Sequence, residues 1–540
     1  MTKVSKVGTF LLAATIAACA TGPENSAPKT FDPDDPLAET DQALTPLATQ
    51  CTFNPTTGLM TVVIAAGETA VIARSAADSA ILQNGQACDN PVTASTLKKI
   101  TVTGSSGDDT LLLDFTNGLF ALGTTSAASS GIAVDLGGGT GDKLAIKGTS
   151  AADNFNFGAA CILLNTDANK DITYTNVESF VVSLGDGDDV YTSAGGGAAG
   201  GVFGQPISVF GGPGNDVFNQ GSAATVSETI SGGSGIDTVS YASRSASVTV
   251  TIGAGANDGA AAENDDIMSD VEIVTGGTGD DTLTADATLP ATLNGGPGND
   301  TLIGGSGNDT LNGGAGNDIL HEGSAANGSD VMNGGAGIDT VDYSARTVAL
   351  VVTMDGVAAN DGEAGENDNV KADIENLKAG SGDDTITGNA LSNVITGGAG
   401  NDVLNGGAGD DVFPQGAAAD GNDTISGGPG VDKVDYSGRS ADITATLDGV
   451  TPSGDLTANE ADILGSDVEN LEGGSGDDVL TGNASANELV GNAGDDTLSG
   501  LGGDDTIEGG AGDDDISCGA GFDVTVGRVG TDTIDADCEI

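Results

Sequence analysis

A nine-residue unit recurs along this chain from Gly211 onward, reading Gly-Gly-x-Gly-Asn/Asp-Asp-x-apolar-x. Clean copies begin at Gly211, Gly295, Gly304, Gly313, Gly397, Gly406 and Gly509. The stretch from Gly295 reads GGPGNDTLI GGSGNDTLN GGAGNDILH without a gap, and a second unbroken run goes from Gly473 to the CGAGFD at Cys518. The eighth position is always apolar: Phe218, Val239, Leu283, Leu302, Leu311, Leu320, Val341, Ile386, Ile395, Leu404, Phe413, Val434, Leu480, Leu489, Leu498, Ile507 and Ile516. The sixth is Asp in all of these units except at Asn393 and Asn487. One position always dry beside one almost always anionic means a single local geometry used many times.

The glycines let the backbone turn back within six residues. The remaining x-apolar-x is long enough only for a very short strand with its central side chain inward. One such strand cannot bury its face, whereas stacked coils can, which makes a solenoid. Long helices are disfavoured by 88 glycines, since each helical Gly costs roughly 1 kcal/mol against Ala. In the turns, carboxylates and freed carbonyls converge as hard oxygen ligands, the chemistry that suits calcium; magnesium demands a tighter octahedron. The candidate ligands are the sixth residues: Asp216, Asp237, Asp281, Asp300, Asp309, Asp318, Asp339, Asp384, Asn393, Asp402, Asp411, Asp432, Asp478, Asn487, Asp496, Asp505, Asp514 and Asp523. With 80 acidic residues against 16 basic ones, unscreened stacked carboxylates would repel strongly, and a cation relieves this.

The unit resembles the calcium-binding nonapeptide of the repeats-in-toxin (RTX) family. The resemblance implies an all-β parallel β-roll or β-helix in which two nonapeptides form one coil and each ion sits between turns on the same side. Facing turns are then 18 residues apart. Seven pairs have that spacing: Asp300/Asp318, Asp384/Asp402, Asn393/Asp411, Asp478/Asp496, Asn487/Asp505, Asp496/Asp514 and Asp505/Asp523. Family members usually leave the cell unfolded, through a one-step machine that reads a C-terminal signal. This chain departs from that pattern at both ends.

Residues 1–19 read as a lipoprotein signal. Lys3 and Lys6 precede an apolar run, Val7 to Ala18, too short to span a bilayer comfortably. The run ends in Ile16-Ala17-Ala18-Cys19, which resembles a bacterial lipobox with Cys19 as the acylated residue, and Ala20 after it favours the outer membrane of a Gram-negative cell. Residues 20–50 read as a tether. Cys51 with Cys88, and Cys518 with Cys538, are candidate disulfides in an oxidising compartment, and Cys161 reads as a buried small hydrophobe.

Residues 51–204 keep diverged Gly-Asp turns and read as irregular coils of the same solenoid, with residues 51–100 capping its first coil and Asp109, Asp142 and Asp189 as weaker ligand candidates. Residues 205–517 form the regular β-roll and 518–540 a cap; Thr525, at a core position, marks the end of the regular core. A longer repeat starts at Gly232, Gly334 and Gly427. Each copy holds a Tyr (241, 343, 436), an Arg (244, 346, 439), an alternating apolar run and an acidic loop at Glu263, Glu366 or Glu460. Three copies point to a structural latch, Arg paired to a turn Asp, rather than to one converging catalytic site. The acidic loops are further, undecided calcium candidates.

Several classes are excluded. Nucleic-acid binding needs cationic side chains on phosphates. His321-Glu322 begins like a zinc-protease motif, but the chain has one His in all, so His321 reads as a solvated turn residue. The expectation is a non-enzymatic, exported, outer-membrane-anchored calcium-binding protein that folds on binding calcium, structural or adhesive at the cell surface or in a matrix. The competing reading is a polysaccharide-binding or polysaccharide-modifying β-helix, which needs exposed aromatic or basic side chains along one face.

Overall fold

The computed structural model describes Leu37 and residues 50–538, apart from 77–79, 94–95, 121–130, 160, 166–169, 194–202, 224–226 and 358. The signal segment with Cys19, and the tether apart from Leu37 and Gln50, lie outside the described residues. Among the described residues there is no helix. The strands form sheets of 15, 9, 14, 7 and 5 members, and most pairings are parallel. The chain is a parallel β-roll solenoid.

The run from Gly295 shows how the repeat builds it. Thr292–Pro297 pairs in parallel with Thr310–Ala315 on one face, and Thr301–Ile303 with Ile319–His321 on the other. Leu293 therefore lies beside Leu311, and Leu302 beside Leu320, so one coil is two nonapeptides. Each three-residue strand of the nonapeptide units buries its central side chain, and every eighth-position residue named above is buried in one continuous core. A fully buried Leu or Ile contributes roughly 1.5–3 kcal/mol. His321 corrects the sequence reading: the ninth position closes a strand rather than a turn, and His321 Nδ1 lies 3.6 Å from Asp342 Oδ2.

The long repeats are switch points between sheets. At the first, the 9-stranded sheet ends at Asp266–Ile267, while Val248–Thr251 starts the 14-stranded sheet. At the second, the 15-stranded sheet ends at Asn369–Val370 and Leu350–Thr353 starts the 7-stranded one. The third ends that sheet near Asp462–Leu464 and starts the 5-stranded sheet at Thr444–Thr446. Each switch replaces one face of the roll while the opposite face continues.

The N-terminal end is closed by antiparallel pairing. Gln50–Asn54 pairs with Leu59–Val63, Thr69–Arg74 pairs with Ile81–Gln83, and a Cys51–Cys88 disulfide ties the two. This protects an edge that would otherwise invite further strands. Cys161 is buried in an antiparallel excursion, Asn154–Gly158 with Cys161–Leu163, and lies outside both disulfides. At the other end the sequence placed the limit of the core too early. Val524–Val529 pairs with Thr506–Ala511, and Thr533–Ile534 with Asp515–Ser517. Thr525 is buried beside Ile507, so a polar residue at the core position is carried by its neighbours. The Cys518–Cys538 disulfide thus encloses one more coil as well as the end.

Candidate metal centre

The sixth-position carboxylates stack in columns along the roll. The Asp300 N–H donates to Asp318 Oδ1 at 2.7 Å, and the Asp318 N–H to Asp339 Oδ1 at 2.9 Å. The same bond joins Asp384 to Asp402, Asn393 to Asp411, Asp478 to Asp496, Asn487 to Asp505, Asp496 to Asp514 and Asp505 to Asp523. All seven pairs expected at 18 residues are therefore stacked neighbours. Columns also cross wider spacings, as in Asp216 to Asp237, Asp411 to Asp432 and Asp281 to Asp300.

One oxygen of each carboxylate is used by the column, and the fate of the other divides the candidates. In Asp216, Asp237, Asp300, Asp318, Asp339, Asp402, Asp411, Asp432, Asp496, Asp505 and Asp514, Oδ2 is buried without a hydrogen-bond partner. In Asp281, Asp309 and Asp478, Oδ2 accepts the N–H of Gly277, Gly305 or Gly474 at 2.5, 2.7 and 2.6 Å. Asn393 and Asn487 accept the N–H of Asn389 and Asn483, and their Nδ2 donates to the carbonyls of Glu375 and Glu469. An amide nitrogen placed there cannot ligate a cation.

The backbone at the second position explains the division. In every unit with a free Oδ2 in that set, the second residue is left-handed: Gly296 has φ 108°, Gly314 118°, Gly428 99°, and even Asn492 and Leu501 reach 72° and 70°. That rotation turns the N–H away from the unit's own carboxylate. Gly277, Gly305, Gly474, Asn389 and Asn483, which open each block of coils, lie outside the left-handed region and donate to it. Asp384 is the marginal case: Gly380 is not left-handed and its N–H still holds the Asp384 carboxyl down, but without a well-formed hydrogen bond to Oδ2, while Oδ1 takes the Leu350 N–H. Asp523 closes its column on the Asp505 N–H, with Gly519 left-handed.

A buried carboxylate oxygen without a donor is costly. Burial pushes Asp300, Asp339, Asp432 and Asp496 up to about 6 and Asp237 to about 7, with the neighbouring carboxylates of the column acting the same way. A hard cation held by these carboxylates would answer both problems. The residues present therefore fit calcium best along the interior of each column and least at its opening coil. Of the weaker candidates, Asp189 joins the Asp216–Asp237 column with a free Oδ2. Asp109 and Asp142 spend both oxygens on protein N–H groups.

The latches are geometric triplicates. Arg244 makes a two-point ion pair with Glu263 at 3.0 and 2.7 Å, Arg346 with Glu366 at 3.2 and 2.8 Å, and Arg439 with Glu460 at 3.1 and 2.7 Å. Each guanidinium lies 5.6–5.7 Å from the ring centroid of Tyr241, Tyr343 or Tyr436. Each phenol donates to Asp265, Asp368 or Asp462. The two-point partner is thus the Glu of the acidic loop; an Asp pairs as well only in the third latch, where Arg439 Nη2 donates to Asp420 Oδ1 at 2.8 Å. A fully buried Arg is costly unless its charge is paired, and the loop glutamates meet each guanidinium at two points inside the roll.

Sequence reading missed the ends of the columns. Asp330 and Asp423 continue two of them to Asp368 and Asp462 of the latches. Glu272, Glu375 and Glu469 accept the N–H of Asp237, Asp339 and Asp432 and end others. The signal was present. GSDVM and GNDTI keep Gly-x-Asp-x-apolar without the leading glycines, and each Glu sits in Asp-Val/Ile-Glu.

The family model for the RTX calcium-binding nonapeptide repeat (4 copies) matches residues 268–287, 292–321, 324–342, 372–390, 378–413, 417–438, 464–498 and 490–525. No curated protein was found to match the chain. The chain carries RTX calcium-binding nonapeptide repeats, and the matched segments coincide with the stacked columns downstream of the first latch.

Proposed function

We propose that this chain is an exported, surface-anchored β-roll that folds on binding calcium and serves as a structural or adhesive rod, without enzymatic activity of its own. The observation that carries the calcium part is the row of buried, donor-free Oδ2 atoms within the columns. Calcium ions held by these carboxylates neutralise each column, so metal-binding free energy becomes folding free energy. At low calcium, self-repulsion among 80 acidic residues keeps the repeats expanded; at extracellular calcium they lock. Acylation at Cys19 supplies the anchor and residues 20–50 the tether. Two disulfides at the ends of the roll suit an oxidising compartment. Phe522 is the one exposed aromatic ring among the described residues, so stacking on a polysaccharide has little support.

The test is far-UV circular dichroism of the chain lacking residues 1–19, titrated with calcium from chelator to millimolar, with magnesium as control. A cooperative, calcium-specific gain of β signal is expected; a fully folded protein indifferent to calcium sinks the reading. The anchor is tested separately by labelling with a palmitate analogue, which Cys19→Ala should abolish.

A further inference from the structure

Among the interior positions at which the three latches differ, one changes an amide to a carboxylate in the second latch alone. Two residues after a buried apolar side chain stand Gln220, Glu322 and Gln415, all buried. In the first latch the Gln220 amide donates to Glu228 Oε2 at 3.1 Å, and in the third Gln415 Nε2 donates to the Phe413 carbonyl at 3.4 Å. The second latch has a carboxylate in place of the amide. Glu322 Oε2 accepts from Asn327 Nδ2 at 2.9 Å and lies 3.6 Å from Arg346 Nη2. Its Oε1, on a side chain with no exposed surface, meets no protein donor and faces the carboxylate of the buried Asp330, whose Oδ2 likewise has none.

Oxygens of Glu322, Glu366 and Asp368 lie within 4.8 Å of one another. Ligands at 2.3–2.6 Å from a common calcium ion are no more than about 5 Å apart. The local charge also calls for a cation: Glu322, Glu363 and Glu366 share the single guanidinium of Arg346, and Asp330 and Asp368, joined by the Asp330 N–H to Asp368 Oδ1, add two further carboxyls beside them. We propose that Glu322, Glu366 and Asp368, with Asp330 beside them, form an internal divalent-cation site for calcium at the second sheet switch. It lies where the Asp309–Asp330–Asp368 column runs into the latch, and the other two latches carry Gln where Glu322 stands. The ion would pin the point where the 15-stranded sheet ends at Asn369–Val370. A surface groove of about 550 Å³, lined by Gly304, Gly305 and residues 323–327, adjoins the site, and Asn327 reaches from it to Glu322.

Terbium, which occupies calcium sites, emits when a nearby tyrosine is excited. The chain has no Trp, and the Tyr343 hydroxyl sits on Asp368 at 3.0 Å. Terbium emission excited through tyrosine should fall severalfold in Glu322→Gln, which installs the residue of the other two latches, and to the same level in Tyr343→Phe. Emission equal to wild type in Glu322→Gln overturns the site and leaves Glu322 and Asp330 sharing a proton. A measurement on the wild-type chain needs no variant to fold: the interior ion should be dry, with the same emission lifetime in water and in heavy water. A lifetime that lengthens severalfold in heavy water places the ion in a surface turn and overturns the assignment. Failure of the nonapeptide reading looks different. It would be a fold indifferent to calcium that still shows Glu322-dependent emission.

Discussion

The two ends of the roll share one coil plan but are stabilised by different chemistry. Before residue 220 the strands carry dense apolar packing. Thr110–Asp114 and Lys143–Lys147 each bury three consecutive side chains, and Leu37 covers the outward Leu112 and Ala145. Phe157, Phe180, Phe203, Tyr174 and Tyr191 pack ring to ring with centroids 4.9–6.2 Å apart. Beyond residue 380 a strand such as Val394–Thr396 or Val403–Asn405 buries one side chain only. The missing apolar area is matched by columns of carboxylates with unpartnered oxygens. A thin core can thus be afforded where an ion supplies the rest, and the comparison becomes a set of measurements.

The largest effect should come from chelation. Removing calcium should expose the amides of residues 380–534 to rapid hydrogen exchange while Leu59–Val63, Lys99–Ser105 and Lys143–Lys147 stay protected. Equal loss in both regions would mean that the aromatic core does not stand alone. Equal protection would mean that the columns need no ion.

Protons should partly replace the ions. Burial raises Asp300, Asp339, Asp432 and Asp496 to about 6 and Asp237 to about 7, against an ordinary 3.8. Between about pH 4 and 7 the folded, metal-free chain then binds more protons than the unfolded one, so its stability rises as pH falls through that window. In chelator, β signal should return on going from pH 7.5 to 5 and be lost again as the pH is raised. Calcium affinity should weaken over the same interval. A metal-free chain that loses β signal steadily on acidification would contradict the burial of these carboxylates.

A single change should separate the regions more finely. Phe157 is fully buried against three rings, Phe180, Tyr191 and Phe203, and Phe157→Ala should cost about 3–5 kcal/mol. That loss should appear with or without calcium. Leu404→Ala in the thin core should show its cost mainly with calcium present, because without it the surrounding coils are already open. Chemical denaturation at both calcium levels distinguishes the two patterns.

How much of this was legible in the sequence follows the same division. The eighth-position core and the seven stacked pairs could be read because period and chemistry coincide there. The identity of the saturated carboxylates could not. Asp281 and Asp300 occupy identical motifs, and only the backbone hand at Gly277 and Gly296 separates them. The hand goes with what each turn is stacked on, Arg244 for Gly277 and Asp286 for Gly305 but the glycine turn at Gly277 for Gly296, a tertiary fact. The latches were visible as repeated Tyr and Arg, but their glutamate partners lie 19 to 21 residues downstream in loops without a period. The end of the core was misplaced at Thr525 because a stacked neighbour, Ile507, keeps a polar residue buried.

The smallest effect tests the backbone rule itself. Leu501 holds the left-handed conformation at φ 70° that glycine holds in most other units of the columns, and the residue is 52 % exposed. For an L-residue with a Cβ that conformation costs roughly 1–2 kcal/mol. Leu501→Gly removes the strain, and the greater freedom of glycine in the unfolded chain returns part of the gain. The net expectation is a stabilisation of at most about 1 kcal/mol in saturating calcium, seen as a small rise in melting temperature. Calcium affinity should hold, because the free Asp505 Oδ2 and the Asp523 partner of its column are untouched. A destabilised variant would show that Leu501 is held by packing against its neighbours, and that a left-handed second residue accompanies the free carboxylate oxygen without being what frees it.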